Sequence, residues 1–310
     1  MRRAKSPLLG LLALLLVLFM CVQSFAQVFV DNRPHVRKPP FGSVEIDPRF
    51  RAFVVGEYLF NEGGGVPHNL VRPLADTLGA GTTWTIGNSG LALRFDGSST
   101  TSVQTQIVAP SPVFTWLVRF TIRTSAPVHY RSLITTAGAS YMLMDIAQGA
   151  DNLIVFSSDG LSGTSFGITG LSVGRLYEIA FVREGDSITN GYKAYLDGQF
   201  KGQANTGTWS PTAGQFLWFG QRADTNDPHD GTISQISIFP VALSAAAILT
   251  RYAEPYAFLR YRPAISFGFM RTRTQAAAAS SGCPPFPANT LSWCPGPPAT
   301  PGQPAIEMRP

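Results

Sequence analysis

The chain has 310 residues, of which 45% are hydrophobic and 14% are charged, with 24 Lys and Arg against 19 Asp and Glu. Arg2, Arg3 and Lys5 supply three of the five excess positive charges, and several arginines follow residue 260. The middle of the chain has no basic excess, which excludes the broad basic surface typical of nucleic-acid-binding proteins.

The first 26 residues have the layout of a secretory signal peptide. The basic residues precede an apolar stretch at residues 8–22 and Ser24-Phe25-Ala26, a small-x-small cleavage sequence. The apolar stretch is shorter than the roughly 20 residues that cross a bilayer, although an uncleaved anchor is the alternative. We expect a chain that is secreted, periplasmic or at the cell surface, and that meets a membrane only during export.

Short alternating segments dominate the middle of the chain. Residues 27–42 are rich in Pro and Arg and are predicted to form an extended lead-in, and residues 43–262 are predicted to form one domain. In FTWLVRFTI, Phe114, Trp116 and Val118 face one way, while Thr115 and Arg119 face the other. Such alternation, with turn residues at intervals of about 8 to 12, predicts an all-β, two-sheet antiparallel sandwich. The predicted strands are residues 53–60, 92–95, 113–122, 131–136, 141–147, 152–157, 176–183, 191–196, 215–220 and 231–239.

One short helix is predicted near the end of this domain, at residues 245–253. Ser244 is its expected N-cap, and Pro255 follows its end. Ile248, Leu249 and Tyr252 form an apolar stripe that we expect to lie on the edge of the sandwich.

The remaining residues, 263–310, are predicted to form an edge segment and a flexible tail rich in Pro and Ala. Cys283 and Cys294 are the only cysteines after the signal peptide. An even pair in an oxidising compartment predicts a disulfide. A metal pair is the alternative, but no histidine lies nearby.

Four segments, in this order, carry a family resemblance. They are VVGEYLFNEGGG (54–65), LALRFDG (91–97), LYEIAFVREGDSITNGYKAYLDGQFKG (176–202), and FLWFGQR (216–222) followed by DGTISQISIFPVALSAAAILTRY (230–252). The pairs Asp96-Gly97 and Asp197-Gly198 within them are predicted hairpin turns. The series resembles the laminin G-like modules of the concanavalin A-like lectin and glucanase superfamily. The resemblance implies a jelly-roll sandwich with a curved face, and a role in ligand recognition or adhesion.

No catalytic residues are predicted. Some relatives hydrolyse β-glucans with a Glu-x-Asp-x-Glu strand, whose carboxylates share one face because side chains alternate. The nearest sequence here is VEIDPR, in which Glu45 and Asp47 lack a third carboxylate and Pro48 interrupts the strand. The four histidines stand apart in sequence, without metal-ligand spacing.

Calcium is the one cofactor that the sequence suggests. The loop at residues 224–230 groups four oxygen-bearing side chains, namely Asp224, Asn226, Asp227 and Asp230. Clustered oxygens suit Ca²⁺, and the resemblance also implies calcium, with Asp96 or Glu62 as outlying ligands. The alternative is that these residues are ordinary turn formers bonded to their own backbone.

A glycan-binding face requires exposed aromatic rings that stack on sugar rings. Trp84 and Trp209 lie in polar, loop-like stretches, and Tyr195 lies beside Lys193. We predict these three aromatic residues as ligand-binding, with burial under a loop as the alternative for the tryptophans.

The predicted site lies at one edge of the sandwich, formed by the loops at residues 62–69, 84–89 and 224–230. The predicted function is a secreted, non-catalytic recognition or adhesion module that binds glycans or a surface partner. Two alternatives stay open: a structural component of an envelope or virion, and a glycan hydrolase.

Overall fold

The computed structural model describes residues 38–110, 112–136, 141–159, 161, 163–211, 214–222 and 227–261. The chain divides into two units, Met1–Ala264 and Ile265–Pro310, and every described residue belongs to the first. The predicted signal peptide, the tail and its pair Cys283 and Cys294 lie outside the described residues. Asp224 and Asn226 of the predicted calcium loop also lie outside them.

Two antiparallel sheets form the body of the described chain. The strands of the larger sheet lie side by side in the order β13 (Gln199–Ala204), β12 (Tyr192–Leu196), β11 (Tyr177–Arg183), β7 (Phe114–Ile122), β15 (Asp230–Phe239), β5 (Gly90–Asp96) and β4 (Thr82–Gly87). A short strand, β2 (Gly56–Tyr58), also pairs with β15. The strands of the smaller sheet lie in the order β10 (Leu153–Ser157), β9 (Met142–Ile146), β8 (Arg131–Thr136), β14 (Phe216–Phe219), β6 (Val103–Val108) and β3 (Thr77–Leu78). Strands β1 (Val44–Ile46) and β16 (Leu259–Tyr261) form a separate ribbon, and residues Arg51–Phe53 form a 3₁₀ turn.

The dry core lies between the two sheets. Trp116, Val118 and Phe120 of β7 are fully buried and belong to the same cluster as Leu217 and Phe219 of β14 in the opposite sheet. Burying one such side chain contributes about 1.5–3 kcal/mol, so the alternation in β7 is a main source of stability. The predicted all-β jelly-roll sandwich is confirmed.

The helix, α1 (Ala245–Ala253), has the predicted bounds. The side chain of Ser244 accepts a hydrogen bond from the backbone N–H of Ala247 at 3.2 Å, which satisfies one free N–H group of the first turn. Within the described residues, no helix has both the length and the apolar character needed to cross a bilayer.

The buried face of α1 differs from the predicted stripe. Ile248 packs with Leu117 and Tyr195 on the outer face of the larger sheet. Leu249, however, is 52% exposed, and Arg251 is buried in its place. The prediction was wrong for Leu249, because the helix lies across a partly polar sheet face, where a buried arginine finds partners.

The two Asp-Gly pairs also differ from each other. Asp197 (φ 52°) and Gly198 (φ 75°) both adopt the left-handed conformation and form the tight turn between β12 and β13, as predicted. No hairpin forms at Asp96-Gly97, so that prediction was wrong. Strand β5 already pairs with β4 through the turn at residues 87–90, and beyond Gly97 the chain crosses to β6 in the other sheet.

Candidate functional site

A pocket of about 330 Å³ opens at one end of the sandwich, where β5 and β15 meet the segment between β7 and β8. It is lined by Asp96, Gly97, residues 124–131, Pro228 and Asp230. Asp96 and Asp230 are direct cross-strand partners in the β5–β15 pair. The rigid sheet therefore sets the spacing of the two carboxylates, and the loop segment closes the pocket around them.

The carboxylate of Asp230 lies between two guanidinium groups. Its Oδ1 is 2.8 Å from Nε of Arg123, and its Oδ2 is 3.8 Å from Nη2 of Arg131. Oδ2 also accepts a hydrogen bond of 2.9 Å from the hydroxyl of Thr124. Burial lowers the pKa of Arg131, and the neighbouring Asp230 opposes that change. These charges hold one another in place beside the pocket.

The segment at residues 124–131 is held by contacts to a neighbouring loop. The carboxylate of Asp151 accepts a hydrogen bond of 2.8 Å from the backbone N–H of Ala126, and the amide of Gln148 donates one of 2.7 Å to the carbonyl of Val128. Ala126 adopts a positive φ of 43°, which few residues other than glycine do. The pocket wall is thus preorganised by side chains from outside it.

The same wall carries an aromatic ring and an imidazole. The ring of Tyr130 is half-buried and meets Phe156 edge to face, with 5.4 Å between ring centroids. His129 is exposed beside it. A half-buried ring next to charged, hydrogen-bonding groups can hold a ligand that has both apolar and hydroxyl surfaces.

His229 lies beside the pocket, between two residues that line it, and is fully buried. One ring nitrogen, Nε2, is 3.2 Å from the carbonyl oxygen of Thr121, and the ring meets Phe95 edge to face at 5.8 Å. Burial, together with the positive charge of Arg131, lowers the pKa of His229 to about 3. The imidazole is therefore neutral in the folded chain over the ordinary pH range.

Acid sensitivity is the expected consequence of that buried imidazole. Between pH 6.5, the ordinary pKa of histidine, and pH 3, the unfolded chain binds a proton that the folded chain does not. The contribution of His229 to stability is complete above pH 6.5 and is lost as the pH falls toward 3. We expect His229→Gln to flatten the fall in the free energy of unfolding between pH 6.5 and 4, measured by urea titration.

The exposed His129 supplies the matched control for this substitution. His129→Gln is expected to keep the wild-type dependence of stability on pH. A His229→Gln curve as steep as that of the wild type would contradict the assignment of acid sensitivity to the buried ring.

Two of the predicted glycan-stacking residues are buried. The indole of Trp209 is 1% exposed and packs edge to face against Phe114 at 5.6 Å in the main core. Tyr195 is 4% exposed and belongs to the cluster around Ile248 of α1. The expectation of exposed rings at these positions was wrong, because each fills space beside a core element, and a fully covered ring cannot stack on a sugar.

Trp84 contacts the loop at residues 62–69, and neither belongs to the pocket lining. The indole Nε1 of Trp84 donates a hydrogen bond of 3.0 Å to the carbonyl of Gly65, and the ring packs partly against the core. Glu62 of the same loop accepts a hydrogen bond of 2.8 Å from the backbone N–H of His68. Neither Trp84 nor Glu62 lines the pocket.

The described part of the predicted calcium loop is engaged with arginines. Asp227 Oδ2 is 3.3 Å from Nη1 of Arg222, and Asp230 contacts Arg123 and Arg131. Among the described residues, no three His, Cys, Asp or Glu side chains are grouped closely enough to hold a metal ion. Calcium binding by Asp224, Asn226, Asp227 and Asp230 stays a prediction.

Among the residues that the sequence did not reveal are Tyr130 and Arg131, which line the pocket, and Arg123, which contacts Asp230 from outside the lining. Arg131 begins the predicted strand β8, and the segment before it has no periodic pattern. A usable signal was the cluster of polar and aromatic residues in SAPVHYR, which connects two strongly apolar strands.

The fold and the sequence together define the class of protein. The family model described as the concanavalin A-like lectin/glucanases superfamily matches residues 95–249, half of the chain. The chain belongs to this family. No curated protein matches it significantly.

Solved structures with the same architecture include two from carbohydrate-active proteins. Domain 4 of AbnA, an extracellular arabinanase from Geobacillus stearothermophilus solved in complex with arabinotriose, is 15% identical, with a TM-score of 0.50 over 64% of this chain and 98% of that domain. The Trypanosoma rangeli sialidase in complex with the inhibitor DANA is also 15% identical, with a TM-score of 0.51 over 66% of this chain and 33% of the sialidase. At such identity these likenesses concern the fold.

Proposed function

We propose that this chain is a secreted, non-catalytic recognition module that binds a glycan in the pocket between Asp96, Asp230 and the segment at residues 124–131. The observation that carries the proposal is the meeting of Tyr130, Arg131 and Asp230 in one depression of a lectin-like sandwich. Export is proposed from the N-terminal sequence.

The chemistry of the pocket suits a sugar. Carboxylates accept and guanidinium groups donate hydrogen bonds in fixed planar geometry, which matches the hydroxyl groups of a sugar ring. The half-buried ring of Tyr130 offers an apolar surface to the carbon–hydrogen face of the same sugar. A volume of about 330 Å³ lies at the lower end of the range typical of small-ligand sites. One or two sugar units would therefore occupy it.

The protonation of the pocket supports a non-catalytic role. Glycosidases that act through paired carboxyl groups need one group with a raised pKa as the general acid. Hydrogen bonds from Ser98 hold the pKa of Asp96 below its usual value. Asp230 lies between the guanidinium groups of Arg123 and Arg131. The Asp96 carboxyl group therefore lacks the raised pKa that a general acid needs, and Asp230 is engaged by two arginines.

A glycan array on the purified chain tests the proposal. We expect binding to one class of oligosaccharide, with arabinan fragments included first because of the ligand named for AbnA domain 4. Tyr130→Ala is expected to raise the dissociation constant about tenfold, since a stacked ring contributes on the order of 1–1.5 kcal/mol to binding. The array is run with calcium and with EDTA, and loss of binding in EDTA would support the proposed calcium loop.

Tyr261→Ala is the matched control for the tyrosine substitution. Tyr261 is 71% exposed on β16 and does not line the pocket, so this variant is expected to bind like the wild type. Absence of binding to every glycan, with and without calcium, would overturn the proposal and favour a surface protein as the partner or a structural role.

A further inference from the structure

Six buried polar atoms without a hydrogen-bond partner among the described residues meet between α1 and the larger sheet. They are Glu57 Oε2, Glu178 Oε1, Gln235 Oε1, Arg251 Nε, Arg251 Nη1 and the hydroxyl of Tyr256. Buried polar groups are normally paired, so a cluster of unpaired ones needs an explanation.

Strand register places the sheet's share of this cluster on one face, in two adjacent rows. Glu178 is opposite Arg119 and Arg119 is opposite Gln235, while Glu57 is opposite Ser237, two residues along β15. Residues directly opposite each other in antiparallel strands project from the same side of the sheet. The two rows lie on the outer face of β11, β7, β15 and β2, and α1 covers them.

The two carboxylate oxygens of Glu57 have unequal contacts. Its Oε1 accepts a hydrogen bond of 2.7 Å from the amide nitrogen of Gln235 and lies 3.4 Å from Nη2 of Arg251. Its Oε2 and the amide oxygen Oε1 of Gln235 both lack a partner. Both atoms are acceptors when Glu57 is ionised. A proton on Oε2 would supply a donor between these two acceptors, and would complete a reciprocal acid–amide pair.

Glu57 is not the only group that stabilises the buried positive charge of Arg251. Its Nη2 donates a hydrogen bond of 2.8 Å to the hydroxyl of Ser237, and its guanidinium lies 4.3 Å from the ring centroid of Phe258. A neutral Glu57 therefore leaves Arg251 with two partners, of which Ser237 lies on the sheet and holds the helix there.

We propose that the interface between α1 and the larger sheet is a proton-binding site, in which the carboxyl group of Glu57 takes up a proton and pairs with Gln235 to tighten the docking of the helix. The site is separate from the pocket and does not depend on glycan binding.

Four charged or titratable groups of the described residues surround Glu57. Arg251 faces it from α1, Tyr256 from the turn after α1, Arg119 from β7 and Glu178 from β11. Arg119 forms an ion pair with Glu178, with 2.6 Å between Nε of Arg119 and Oε2 of Glu178. The pKa of Glu57 is raised to about 7, chiefly by burial. Arg251 and hydrogen bonds from Ser237 and Gln235 oppose the rise, and Glu178 adds to it.

The direction of the pH effect follows from that raised pKa. Between pH 4.5, the ordinary value, and pH 7, the folded chain keeps a proton that the unfolded chain has lost. The contribution of Glu57 to stability is therefore largest below pH 4.5 and declines as the pH rises to 7. Mild acid strengthens the interface and alkali weakens it.

The test compares the full chain with Glu57→Gln, whose amide mimics the protonated acid at every pH. We expect the ratio of unfolding constants, wild type over Glu57→Gln, to rise on the order of 50-fold between pH 5 and pH 8 in urea titrations. Because the ratio cancels groups common to both chains, His229 does not affect it. Glu45→Gln, at the exposed pair with Arg260, is the control, and its ratio should stay within about twofold.

A second measurement covers the case in which Glu57→Gln does not fold. The wild type is expected to show the infrared carbonyl band of a protonated carboxylic acid at pH 6, and hydrogen exchange of the α1 amides should slow as that band grows. Glu178→Gln should move the midpoint of the band to lower pH, because it removes a negative charge that favours the proton. A flat ratio of unfolding constants would overturn the proposal, as would the absence of the carbonyl band.

Discussion

Replacing Gly220 with alanine is expected to lower the free energy of unfolding by about 4 kcal/mol, as the sum of backbone strain and overpacking. Gly220 follows β14 and has a φ of 76°, where side chains other than hydrogen are strained. A Cβ atom built on it would lie 2.0 Å from Cε1 of Phe95, which is fully buried. The ring cannot move away easily because it is buried in the core. The backbone is also fixed, because the N–H of Gly220 donates a hydrogen bond to the carbonyl of Leu133 and its carbonyl accepts one from the N–H of His229.

Gly174→Ala separates the two causes. Gly174 has a φ of 74°, but a Cβ atom there would meet nothing within 4 Å. Its replacement is therefore expected to cost only about 1 kcal/mol. Adding Phe95→Leu to Gly220→Ala should recover part of the loss. Equal losses in the two glycine variants, measured by chemical denaturation, would show that contact with Phe95 is unimportant.

Replacing Arg183 with methionine is expected to cost about 4 kcal/mol, the usual effect of removing one partner from a buried ion pair. The side chain of Arg183 is fully buried, and its Nη2 is 3.2 Å from Asp159 and 2.7 Å from Asp186. Its Nε donates to the hydroxyl of Tyr192 at 3.1 Å, and its guanidinium lies 5.7 Å from the ring of Trp209. The methionine would leave the buried carboxylate of Asp159 without its counter-charge.

The pair between Lys193 and Glu184 is the control for this variant. Both side chains are partly exposed, so Lys193→Met is expected to cost at most about 1 kcal/mol. In the double variant Arg183→Met/Asp159→Asn the loss should be smaller than the sum of the single losses. A loss in Arg183→Met as small as that in Lys193→Met would contradict the account of the buried network.

The central strands were predicted correctly because most of their inward residues are apolar. In β7 and β15 the alternation is strong, and both are found in the middle of the larger sheet. Strand β6 was missed although its burial alternates. Its inward residue Thr105 is polar, and it is accommodated because its hydroxyl donates a hydrogen bond of 2.8 Å to the carbonyl of Leu217. Local sequence does not reveal a partner so distant along the chain.

The same limit explains the errors at the candidate site. The sequence singled out the loop at residues 224–230 and the outlying Asp96 only as candidate calcium ligands, because acidic turn residues are visible in the sequence. Their pairing was not, because it depends on β5 lying beside β15. Trp209 was placed on the surface since its neighbours are polar, but a buried Arg183 draws polar loop residues and this ring into the interior.

The central claim is that the pocket beside Asp96 and Asp230 holds the glycan, and hydrogen–deuterium exchange with and without a saturating oligosaccharide from the array tests it most directly. We expect slower exchange at residues 124–131 and at the end of β5, with little change in the loop at residues 62–69 or in β13. Protection confined to the loop at residues 62–69 and the Trp84 hairpin would contradict the claim and place the binding site at the other predicted loops.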